Sequence, residues 1–156
     1  GAGCLSFAFE KRMNHHEERE EHEGKDWRIP EMAKQFEALS GQVIGCAIEV
    51  HRFLGPGLLE SSYQRCLSRE LELNGIAHTC EAPLPIEYKG ISLECGYRVD
   101  LLVEGALIIE LRSVKRIDPI HEAQIITYMK LSGLKIGLIF NFNVTKLKDG
   151  IKRYVL

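Results

Sequence analysis

The sequence predicts an α/β fold whose mixed central sheet is flanked by helices, and three observations carry that expectation. Two stretches with helical spacing come first, Pro30 to Phe53 and Leu58 to Leu73. The apolar period then drops towards two through a meander of three extended segments, residues 76–114. A helix opened by Asp118-Pro119 next returns the chain to KIGLIFNFNV, an unbroken apolar run that reads as a strand buried on both faces. A meander followed by a crossover helix gives a sheet with both antiparallel and parallel neighbours.

Each element has its own local cause. Residues 1–29 form an acid-rich segment, of which 10–28 are charged, hold three of the six histidines and show no periodic apolar face. They read as a flexible tail, with Met13 a candidate native start and 30–156 as the domain. In the first helix Leu39, Val43, Ile44, Ala47, Ile48 and His51 share a face, and LGPG breaks it. His51 on that face reads as a core histidine. The second helix closes at Asn74-Gly75. IAHTCEAPLPIEYKG is read as one strand, near an edge because of Pro83 and Pro85, turning at Lys89-Gly90. ISLECGYRVDLLV is a second, bent at Gly96, and ALIIELRSV a third after a turn at Glu104-Gly105. The third helix has Asp118 as N-cap and Pro119 in its first position. Its packed face is read as Ile120, Ala123, Ile126, Thr127 and Leu131, and it ends at Ser132-Gly133. IKRYVL supplies a last short strand.

Composition narrows the function classes. With 156 residues, 45% hydrophobic, the chain can enclose a real core. Its net charge of -2 gives no overall basicity to advertise a nucleic-acid partner. Five cysteines form no CxxC pair, which argues against a zinc ribbon or disulfide framework and for a reducing cytoplasm. No apolar run approaches the roughly 18 residues of a membrane span.

The chemistry concentrates in YRVDLLVEGALIIELRSV, Tyr97 to Val114, where Asp100 and Glu110 interrupt apolar arms. Buried unpaired carboxylates are costly or become neutral. A two-residue turn at Glu104-Gly105 would pair Asp100 with Ile109 and send Glu110 to the other face. A three-residue loop, Glu104 to Ala106, would set Asp100 opposite Glu110. Two acids that close either share a divalent cation or lie on a face open to water.

GLLESSY, Gly57 to Tyr63, matches the GxxExxY signature, and VHRFLGPGLLESSYQRCL around it resembles that small bacterial and archaeal family. YKG, YRVDLLVE, IIELR, HEAQIITYMKLSGLKIGLIFNFN and LKDGIKRYVL resemble it too, in order, over roughly 38–156. That family is placed in the PD-(D/E)XK nuclease superfamily, which implies a restriction-endonuclease-like core and hydrolysis of nucleic acid with Mg²⁺ or Mn²⁺. By this resemblance Asp100, Glu110 and the carbonyl of Leu111 would hold the metal. Glu60 would be the helix carboxylate that several such nucleases point at it. Gln124 and Tyr128 form a QxxxY similar to that of RecB-like and lambda-exonuclease-like branches, and would orient substrate.

One position departs from the family pattern. Where E-x-K is expected the chain reads ELR, so Arg112 replaces the catalytic lysine. Arginine can hold phosphate oxygens with its planar fork but cannot act as a base. Loss of such a positioned group commonly costs on the order of 10²–10³ in rate. Lys115 lies at an odd offset from Glu110, pointing to the opposite face, and is a poor substitute. His121, in the first helical turn, reads as structural. Lys146, Lys148, Lys152 and Arg153 make a local basic patch that suits either a phosphate backbone or solvent. The expected function is thus a weakened metal-dependent nuclease. Its rival is a non-catalytic module of the same fold that binds nucleic acid or protein. Oligomeric state, a homodimer included, is left open by the sequence.

Overall fold

A computed structural model describes residues 28–93 and 97–156. The acidic tail and the Gly96 bend fall outside these residues. The chain divides into two units, Gly1–Gln35 and Phe36–Leu156. Of the first unit, the described part is the helical stretch Arg28–Gln35.

Helix α1 spans Arg28–Leu54 and α2 spans Glu60–Leu73. Strands β1 (His78–Pro83), β2 (Ile86–Tyr88), β3 (Ile91–Leu93), β4 (Arg98–Val103) and β5 (Leu107–Arg112) follow. Helix α3 (Pro119–Ser132) leads to β6 (Ile136–Asn141), a 3-10 turn at Leu147–Gly150 and β7 (Ile151–Val155). The main sheet runs β1-β4-β5-β6-β7. Its β5–β6 pair is parallel and the others are antiparallel, the mixed sheet that the meander and crossover implied.

The segment read as one strand from Ile76 to Gly90 is two. Pro83 is the last residue of β1, paired with Arg98, and the Leu84 N–H extends that register by one bond to the Tyr97 carbonyl at 2.8 Å. Pro85, the next residue, lacks the donor that a ladder needs and cannot carry the pairing further. Ile86–Tyr88 then pairs with β3, as a two-stranded sheet of its own among the described residues.

Both sheet faces are covered. On one, Val43 and Ala47 of α1 and Tyr63, Leu67 and Leu71 of α2 bury Leu101, Ile109, Leu138 and Phe140. His51 is buried there, its Nε2 2.8 Å from the Val144 carbonyl, as a core histidine should be. On the other face, α3 buries Ile125, Tyr128 and Met129 against Ile108 and Ile139. This corrects the packed face read for that helix, since Ile120 and Leu131 are exposed. Gly137 explains the shift: a Cβ there would come within 2.8 Å of Met129 Sδ and 2.9 Å of Ile125 Cδ1. The bare backbone of β6 therefore draws in that side of the helix. His121 closes the helix start, where its Nδ1 accepts from the Asp118 N–H at 3.0 Å.

The loop between α1 and α2 is fastened by Tyr63. Its hydroxyl donates to the Gly55 carbonyl at 2.6 Å and accepts from the Leu58 N–H at 3.1 Å. Its ring stacks on Phe142 with centroids 4.3 Å apart. Tyr63 is thus a structural pin, fully buried.

Candidate active site

The β4–β5 turn decides whether the two acids meet. Leu101 pairs with Ile109, Leu102 with Ile108 and Val103 with Leu107, so three residues, Glu104 to Ala106, form the loop. Glu104 and Gly105 take positive φ of 52° and 61°, and the Ala106 N–H closes the turn on the Val103 carbonyl at 3.0 Å. Carried one residue further, this register sets Asp100 opposite Glu110. The longer of the two loops is the one observed, and with it both carboxylates lie on one face.

The acids interlock through the backbone. The Asp100 N–H donates to Glu110 Oε1 at 3.3 Å, and the Leu111 N–H donates to Asp100 Oδ2 at 2.7 Å. Arg112, two residues beyond Glu110, shares its face. Its Nη1 lies 2.7 Å from the Leu111 carbonyl oxygen, 3.2 Å from Glu110 Oε2 and 3.6 Å from Asp100 Oδ2. Its Nη2 donates to Gln124 Oε1 at 2.7 Å, and Gln124 Nε2 donates to the Tyr128 hydroxyl at 2.8 Å. Helix spacing puts Gln124 and Tyr128 on one side of α3, where they support the guanidinium. The structure brings together Asp100, Glu110, Leu111, Arg112, Gln124 and Tyr128.

Glu60 stands apart from that group. Its Oε1 accepts from the Ser113 N–H at 3.2 Å, while Ser113 Oγ donates to the Leu58 carbonyl at 2.7 Å. Glu60 therefore fastens the start of α2 to the end of β5, though its charge still reaches Asp100. Among the described residues no group of three or more His, Cys, Asp or Glu side chains is placed to hold a metal ion. The Glu60 carboxylate, expected as a third ligand, is placed on the Ser113 N–H. Ser113 and Gln64, whose Nε2 reaches the Asp100 carbonyl at 3.4 Å, were missed in the sequence. Neither has a motif to reveal it. Lys115 is exposed beyond the strand end.

Burial shapes the charge state. Glu110 is 3% exposed, and desolvation, followed by the Asp100 charge, pushes its pKa up to about 8 against the pull of Arg112. Burial also raises Asp100, opposed by the Leu111 N–H and by Arg112. One guanidinium faces two acids, so burial and their mutual repulsion favour retention of a proton by the pair.

A pH dependence of stability follows, with a definite sign. Between the ordinary carboxyl value of 4.5 and about 8, the folded chain retains a Glu110 proton that the unfolded chain has lost. Stability is therefore fully present below that window and is lost as pH rises through it, at up to about 1.4 kcal/mol per pH unit. Urea unfolding of the metal-free protein at pH 5, 7 and 9 should show this decline, and Glu110→Gln should flatten it. An unfolding free energy that rises from pH 5 to 9 would contradict the assignment.

The donor set consists of two carboxylates and one backbone carbonyl, hard oxygens of the type that Mg²⁺ and Mn²⁺ take. That a single nitrogen touches oxygens from all three residues shows that they converge on one position suited to a cation. The donor types fit a divalent ion, and Arg112 Nη1 rests among them.

The family model described as the PD-(D/E)XK nuclease superfamily matches residues 37–154. No curated protein and no solved structure matches. Among the described residues no helix is long and apolar enough to cross a membrane. The match spans the mixed sheet, its covering helices and the hairpin that carries both acids, and the chain belongs to the PD-(D/E)XK nuclease superfamily.

Proposed function

We propose that the domain, as a member of the GxxExxY branch, hydrolyses phosphodiester bonds of nucleic acid with Mg²⁺ or Mn²⁺, slowly, because Arg112 replaces a lysine. The carrying observation is the convergence of Asp100, Glu110 and the Leu111 carbonyl on one nitrogen of Arg112. When bound, the metal would lower the pKa of water and offset charge on the phosphate. Asp100, Glu110 and Leu111 would hold it, with Glu60 tethering the β5 end beside them. Arg112 would grip a non-bridging phosphate oxygen, and Gln124 with Tyr128 would set the direction of its fork. Arg112 cannot take a proton, so it supplies only the electrostatic part of the lysine's work. The free thiols of Cys46, Cys66 and Cys80 suit a cytoplasmic setting.

A second reading has its own support. The same guanidinium, engaged with four residues, suits a non-catalytic module that binds nucleic acid or protein through the retained fold. Cleavage assays with Mn²⁺ on single- and double-stranded DNA and RNA separate the two. Arg112→Lys should cleave about 10²-fold faster than the wild type, and Asp100→Asn should be inert. Absence of cleavage by both wild type and Arg112→Lys would favour the module.

A further inference from the structure

We propose that Arg112 is a built-in tenant of the cation position, and that a divalent ion binds well only when a phosphodiester draws the guanidinium away. This rests on the metal reading above and adds an order of binding to it.

Three facts carry the inference. First, Nη1 occupies the point where the three oxygens converge, at 2.7, 3.2 and 3.6 Å from Leu111, Glu110 and Asp100. A second cation cannot share that point with a guanidinium, on either volume or charge grounds. Second, the tenant is held from behind. Gln124 Oε1 takes Nη2 at 2.7 Å, and Gln124 is itself braced by Tyr128, which is buried. Leaving therefore costs Arg112 contacts with four residues at once. Third, the guanidinium side chain is 11% exposed and Asp100 is 24% exposed, so the cluster has an open edge.

A phosphodiester offers the one compensation that fits this fork, two parallel charge-assisted hydrogen bonds. Once Arg112 turns onto it, the vacated oxygens carry a charge that a divalent ion matches better than one guanidinium did. Metal and phosphate then strengthen each other's binding, and the coupling is reciprocal. Gln124 and Tyr128 become positioning residues that set how firmly the tenant is held.

Calorimetric titration of the full chain with Mn²⁺, with and without saturating dimethyl phosphate, tests this. In the wild type the phosphodiester should tighten Mn²⁺ binding by about tenfold or more. Arg112→Ala should bind Mn²⁺ that tightly without it, and added dimethyl phosphate should then change nothing. Gln124→Leu keeps both acids paired with Arg112 and so guards against a variant that fails to fold. It should tighten Mn²⁺ binding several-fold with no phosphodiester present. Equal Mn²⁺ affinity in wild type, Arg112→Ala and Gln124→Leu, unchanged by dimethyl phosphate, would overturn the inference and leave the metal site standing. Absence of saturable Mn²⁺ binding in all three would sink the metal site itself, and this inference with it.

Discussion

Gly150→Ala is expected to destabilise the domain by about 3 kcal/mol, at the upper end of what an inserted methyl group costs. A Cβ at Gly150 would fall on the backbone carbonyl oxygen of Asn141 and lie 3.1 Å from Val144 Cγ2. A flexible side chain could give way there, but a strand carbonyl cannot. Asn141 ends β6, and its side chain accepts from the Val114 N–H at 3.1 Å and donates to the Val114 carbonyl at 2.9 Å. Displacing it would disturb the loop that leaves β5 immediately after Arg112. Urea denaturation should show a lower midpoint with an unchanged slope, and a loss under about 1 kcal/mol would mean that the turn relaxes freely.

The second large effect concerns the charge cluster itself. Among the described residues, Arg112→Ala removes the one cation within ion-pair distance of both Asp100 and Glu110. Breaking a buried ion pair in this way commonly costs about 3–5 kcal/mol, because the remaining charge is left uncompensated. The loss should be larger at pH 9 than at pH 6, where the acids can still hold a proton. Mn²⁺ at about 100 times its dissociation constant should return about 2.7 kcal/mol to the variant, since only the folded form assembles the three oxygens. Thermal or urea unfolding in metal-free buffer, then with Mn²⁺, reads both quantities. A variant as stable as wild type at pH 9 would show that the carboxylates are solvated rather than buried.

Several features of this fold could be read from residues alone because local causes decide them. The LGPG break, the Asp118-Pro119 helix start and the apolar run of β6 each act within a few positions. The split between Pro83 and Ile86 was not legible, because it depends on β1 and β2 taking different partners, β4 and β3, which no local pattern names. The packed side of α3 was misread because Gly137, on a different element, decides how closely that helix can approach. At the site, the shared face of Glu110 and Arg112 follows from strand alternation. The meeting of Asp100 with Glu110 did not follow, since either turn length was compatible with Glu104-Gly105. That Glu60 would serve Ser113 was also hidden, because both stitched atoms of Ser113 have unremarkable sequence surroundings.

Tyr63 carries a wider consequence. Its hydroxyl holds the Gly55–Leu58 corner and Glu60 ties that corner to Ser113, so the recognisable heptapeptide GLLESSY does carpentry. The acid cluster proposed to act on phosphodiesters lies elsewhere, on the hairpin that bears Arg112. A chain can therefore keep this emblem intact while the residues around Arg112 change, and a catalogue of proteins assembled by the emblem sorts scaffolds.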